Sequence, residues 1–90
     1  MDSDTVTDLL LQYINSHRKF IPISVRSYLR ENNISIYRFI QIEYNNTIVE
    51  IKIYNPYFIT FNVDNYPKNV SCNLTQARDA IDAIFSRAHH

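Results

Sequence analysis

The sequence predicts an α+β domain of order α-α-β-β-β-α. Two N-terminal helices (about 4–16 and 24–32) lead into a three-stranded antiparallel meander (about 37–44, 47–54 and 58–63), and a C-terminal helix (about 74–88) follows. Three observations carry this expectation. Residues 37–63 alternate apolar and polar with a period of two, the repeat of a half-buried strand. Asn45-Asn46 and Asn55-Pro56-Tyr57 supply two turns that independently set one register. The flanking segments instead repeat apolar residues three and four apart, which is helical spacing.

The register is specific. A turn at Asn45-Asn46 pairs Ile42 with Val49, Ile40 with Ile51 and Arg38 with Ile53. The turn at Asn55-Pro56-Tyr57 pairs Ile53 with Ile59, Ile51 with Phe61 and Val49 with Val63. Both put the same isoleucines, valines and Phe61 on one face. A slip of one residue would turn them all toward water, so the pattern resists slippage.

In the first helix, Val6, Leu9, Leu10, Tyr13 and Ile14 form an apolar stripe, with Ser3 or Thr5 as the expected cap. Phe20-Ile21-Pro22 is an extended connector, because the residue before proline is pushed out of the α region. Ser24 then opens the second helix, whose stripe is Val25, Tyr28 and Leu29, with Arg26 and Arg30 outside. Residues 34–44 have two spellings. One is the recognition helix of a helix-turn-helix over residues 24–42; the other is strand, favoured because it gives Ile40 and Ile42 partners across the hairpin. Residues 64–69 (Asp-Asn-Tyr-Pro-Lys-Asn) read as a loop by composition. Asn73 starts the last helix, with Gln76 three residues on for a capping box, Leu74, Ala77, Ile81, Ile84, Phe85 and Ala88 inward, and Arg78 and Asp82 as an outer pair.

Composition limits the function. Ninety residues fit a single domain over 1–90, and 46% hydrophobic with 20% charged residues is ordinary for a folded chain. Formal net charge is zero, so no global field favours nucleic acid or an anionic membrane. There is no glycine at all. Phosphate-cradling loops, dinucleotide fingerprints, nucleophile elbows and calcium-binding EF-hand loops need one at fixed places and are excluded. The single cysteine, Cys72, cannot form an internal disulfide, and residues 1–4 are acidic where a secretion signal would be basic. The expected setting is therefore intracellular and reducing, meaning the cytoplasm, or the host cytoplasm if the source is viral. Abundant Ile, Asn and Tyr fit an AT-rich coding sequence, as in many viruses and mobile elements.

No catalytic group assembles from the sequence, so no enzyme, cofactor or small-molecule substrate is expected. His17 lies just past a helix end, where it complements the dipole. Glu43 and Glu50 sit on the outer sheet face, where paired carboxylates stay solvated. Cys72 with His17 falls short of a metal set.

Two surfaces stand out as binding candidates. Tyr37, Tyr54 and Phe58 fall in one cross-strand row of the outer face, with Phe39 beside them and Tyr28 at the rim. A solvent face seldom spends four aromatics in one corner, so either a helix covers it or a partner does. Glu43 and Glu50 share that face and would repel phosphate, which favours a protein partner or a homodimer. The alternative is nucleic-acid binding, helix-turn-helix-like or sheet-based, by the basic stripe Arg18, Lys19, Arg26, Arg30 and Arg38. In topology, residues 22–88 resemble the double-stranded-RNA-binding fold and the arm-binding domains of recombinases. The lysine cluster that opens the last helix of that RNA-binding fold is replaced here by Thr75, Gln76, Ala77 and Arg78, so no binding residues carry over.

Overall fold

Alternation along the strands decides the architecture. The computed structural model describes residues 2–16, 24–31, 36–44, 46–71 and 73–87. In chain order they form α1 (Ser3–Asn15), β1 (Ser24–Glu31), β2 (Ile36–Tyr44), β3 (Thr47–Asn55), β4 (Phe58–Val63), β5 (Tyr66–Ser71) and α2 (Leu74–Arg87). The strands make one antiparallel sheet in the order β1-β2-β3-β4-β5. Residues 36–44 are strand, and the central register is the expected one. Ile42 faces Val49, Ile40 faces Ile51 and Arg38 faces Ile53; Val49, Ile51 and Ile53 in turn face Val63, Phe61 and Ile59.

Both helices pack on the face this register makes apolar. Ile40, Ile42, Val49, Ile51, Ile53, Ile59 and Phe61 are buried together with Val6, Leu10 and Ile14 of α1 and Ala77, Ala80, Ile81 and Phe85 of α2. α1 lies against β2, β3 and α2, while α2 also meets β5. Each fully buried Leu, Ile or Phe contributes about 1.5–3 kcal/mol relative to exposure, so this layer supplies most of the driving force. The small Ala77 and Ala80 let α2 come close. Tyr44 closes the core with its ring edge-on to Phe85, centroids 5.3 Å apart.

The expected helix at 24–32 is instead the strand β1, paired with β2 from Ser24↔Glu43 to Glu31↔Ile36. The three-and-four spacing of Val25, Tyr28 and Leu29 suits a helix, but β2 has an unpaired edge and outer-face rings to cover. Pairing satisfies the backbone and lays Tyr28 and Arg30 beside those rings, so tertiary context overrides local spacing. With a strand in that place, the likeness to the RNA-binding and arm-binding topologies lapses. The expected loop at 64–69 is likewise a tight turn followed by β5. Asp64 and Asn65 have φ of 50° and 70°, the positive angles a two-residue hairpin turn of type I′ needs. Asp64 also ties the turn to the start of β3. Its carboxylate accepts from the Ile48 N–H at 2.9 Å, and its own N–H donates to the Ile48 carbonyl at 2.8 Å. Asn46, at φ 62°, serves the β2–β3 turn. With no glycine in the chain, Asn and Asp fill all three left-handed positions among the described residues, as the non-glycine residues best suited to them.

Caps and a helix-to-helix bond complete the frame. α1 is capped by Asp2, not by Ser3 or Thr5: its carboxylate accepts from the Thr5 N–H at 2.8 Å, which holds the Asp2 carboxyl below its ordinary pKa. Asn73 caps α2 by accepting from the Gln76 N–H at 2.8 Å. The Tyr13 hydroxyl donates to Asp82 at 2.6 Å, joining α1 to α2, and the Arg78 guanidinium lies 5.5 Å from the Tyr13 ring centre. The bond to Asp82, then burial, pushes the Tyr13 phenol up to about 12 from 10.0. A raised folded pKa gives stability that is complete below pH 10 and lost as pH rises through about 12. Tyr13→Phe is thus expected to cost about 1 kcal/mol at neutral pH. The gap between wild type and variant, read from urea melts, should close across that alkaline window; a gap independent of pH would remove the bond as its cause. No helix among the described residues is long and apolar enough to cross a membrane.

Candidate interaction surface

With α1 and α2 on one side, the other face of the sheet carries no described helix. Its side chains come from alternate positions of neighbouring strands: Tyr28 and Arg30 from β1, Tyr37, Phe39, Gln41 and Glu43 from β2, Ile48, Glu50, Lys52 and Tyr54 from β3, and Phe58, Thr60 and Asn62 from β4. The aromatic row forms as expected. Tyr37 and Tyr54 rings are 5.1 Å apart, and Tyr54 meets Phe58 edge-on at 5.2 Å. The register shifts locally beside this row. Ile53 pairs with Ile59 and Asn55 with Phe58, so Tyr54 is an extra residue at a bulge. The following turn is braced by the Tyr57 N–H donating to the Asn55 side-chain oxygen at 2.8 Å.

Beside the row, Tyr28 and Phe39 pair across β1 and β2 with ring centres 5.2 Å apart. The Arg30 guanidinium lies 4.5 Å from the Phe39 ring centre and 5.9 Å from that of Tyr37. The Lys52 ammonium is 5.9 Å from the Tyr37 ring centre. Phe39 is at 0% and Tyr37 at 6% exposure with no described helix above them, and these side chains are among those that cover them. Tyr28 at 44% and Phe58 at 46% remain open at its two ends. Such cation–ring contacts contribute about 0.5–1 kcal/mol each at exposed sites, and they hold Arg30 in place as a charged rim.

The residues of the basic stripe do not gather on one face. Arg38 belongs to the helix side, where its Nε lies 3.6 Å from the Asp4 carboxylate of α1. Arg30 is on the opposite face, laid over the rings. In register Arg26 pairs with Gln41. Arg18 and Lys19 lie outside the described residues, as does His17. Glu43 is exposed and Glu50 half-buried, opposite Ile48 and Gln41 respectively, so the two carboxylates are not direct cross-strand partners. Lys52, on the outer face by the expected register, joins the cluster although it is not among the expected contact residues. The signal was present, since the register that pairs Arg38 with Ile53 sets Phe39 against Lys52.

The geometry defines an α+β chain with one sheet face roofed by helices and the other bearing a sealed aromatic cluster. Comparison of the chain with protein-family models, curated proteins and solved structures finds no match.

Proposed function

We propose that this chain is a non-enzymatic interaction module that binds a protein partner through the face of its sheet that carries no described helix. The contact corner is Tyr28, Tyr37, Phe39, Tyr54 and Phe58, with Arg30 on its rim. The observation that supports this reading best is the placement of Arg30 over Phe39 between two half-exposed rings. Tyrosine and arginine are the side chains most enriched among interface anchors, and here both are held in fixed positions before any partner arrives. The two acids on the same face, and the turning of Arg38 toward Asp4, weigh against a phosphate backbone as the ligand.

The test has two arms. Partners captured from source cells are purified and titrated back against wild type and a Tyr28→Ser, Phe58→Ser variant. Both positions are half-exposed, so the fold should persist while affinity falls about tenfold or more. Equal affinity of the two proteins would overturn the reading. In the second arm, short mixed-sequence single and double strands are titrated at about 50 and 200 mM salt. No complex is expected. One that weakens by orders of magnitude over that range would instead support nucleic-acid binding.

A further inference from the structure

We infer that β1 is a self-pairing edge: two copies of this chain join residues 24–30 antiparallel about a two-fold axis through Ser27, merging two five-stranded sheets into one. This goes beyond the outer-face reading and does not depend on which protein that face binds.

The two ends of the sheet are unlike. β5 contains Pro67, which has no N–H to donate, and Lys68, and its pairing with β4 shifts between Phe61 and Asn62. Proline, lysine and a bulge are the devices by which edge strands refuse further pairing. β1 has none of them. It is eight residues long, lacks proline, and runs against β2 in unbroken register. Alternate residues of such a strand turn their N–H and C=O groups to the open side, ready to template another strand. Leu29 is 58% exposed on the helix side of this edge, and the sheet contacts of α1 fall on β2 and β3.

What selects a second copy is that β1 is complementary to itself in one register. A two-fold pairing sets residues of the same face opposite one another, so the axis must pass through a residue. Through Ser27, it sets Val25 opposite Leu29 of the second copy twice, Arg26 opposite Tyr28 twice, and Ser24 opposite Arg30 twice. No like charges stand directly opposite one another, and arginine meets arginine only on the diagonals. Moved to Tyr28, the axis would oppose Arg26 and Arg30 twice; moved to Arg26, it would set that arginine on itself. Moved to Leu29, it would leave only residues 27–31 paired. Like charges directly opposite destabilise a pair of strands, and a shorter overlap loses ladder bonds.

An independent observation falls on the same axis. The Ser27 hydroxyl oxygen is buried and has no hydrogen-bond partner among the described residues. An unpaired buried hydroxyl is costly; a turn about χ1 would carry this one from under its own chain to the open edge, where serine facing serine across two strands is a pairing that relieves the cost. On this axis, each Ser27 faces its own twin.

The experiment uses the full chain. Sedimentation across a concentration series is expected to show a monomer passing to a dimer. Leu29→Lys replaces an exposed side chain, so the monomer should melt unchanged, while the dimer dissociation constant rises about tenfold or more because two apolar contacts are lost. In a Cys72→Ser background, Ser27→Cys should close an intermolecular disulfide with diamide as the two-electron acceptor, while Tyr28→Cys and Leu29→Cys should not. A monomer at every concentration would overturn the proposal, as would a dimer indifferent to Leu29→Lys. Cross-linking through Tyr28→Cys but not Ser27→Cys would overturn the axis. If Ser27→Cys does not fold, the Leu29→Lys series decides. Phe58 lies on β4, remote from this edge, so Phe58→Ser should leave the dimer intact while lowering partner affinity. The two readings therefore fail separately.

Discussion

Phe39→Ala is expected to lower the unfolding free energy by about 3 kcal/mol, although the residue lies on the sheet face without a described helix. The reason is its environment. The ring is at 0% exposure, tilted against Tyr28 with centroids 5.2 Å apart and covered at 4.5 Å by the Arg30 guanidinium. Truncation removes a buried aromatic, leaves a cavity the neighbouring strands cannot close, and strips Arg30 of the surface it lies on. Phe58 on the same face is 46% exposed, so Phe58→Ala should cost under about 1 kcal/mol. Urea denaturation with an unchanged m-value reads both. Equal losses at the two positions would mean that Phe39 is not the centre of a second, smaller core.

Ile51→Ala should cost more, about 3–4 kcal/mol, because the site can relax least. Ile51 lies at the middle of β3, between Ile40 of β2 and Phe61 of β4, all three at 0% exposure. Strands flank it on both sides and helices roof the face it points to, so little can move in to fill the space. A small domain has only about 5–10 kcal/mol in total, so the variant should sit near its unfolding threshold at room temperature. Ile48→Ala, on the same strand but the opposite and half-exposed face, is the control and should cost under about 1 kcal/mol. A loss at Ile51 no larger than at Ile48 would contradict the assignment of the inner face.

How much of this was legible in the sequence follows from where each strand lies. The centre of the sheet could be read because β2, β3 and β4 bury one full face, and two separate turns enforce one register. The edges could not. β1 is half-exposed on both faces, so Tyr28 and Leu29 point to opposite sides and their spacing mimics a helix. β5 carries the proline and lysine that keep an edge from pairing further, and those residues spell a loop. An edge strand conceals itself by the same means that protect it. For the surface, the Tyr37, Tyr54 and Phe58 row was foreseeable from register alone. The sealing of Phe39 and Tyr37 was not, because it needs Tyr28 and Arg30 from the misread edge. The position of Arg38 was implicit in its pairing with Ile53, which puts it among inward residues and therefore out of reach of Arg30.

The order of the strands also governs how the chain can assemble. Each strand lies beside its predecessor in the polypeptide, so the sheet can grow by closing short loops one after another, each at small entropic cost. The meeting of the two helices is different: Tyr13 and Asp82 are separated by 69 positions, and their approach closes nearly the whole chain into a ring. A sheet formed first would bring the termini within reach of each other and so spare the docking of the helices most of that expense.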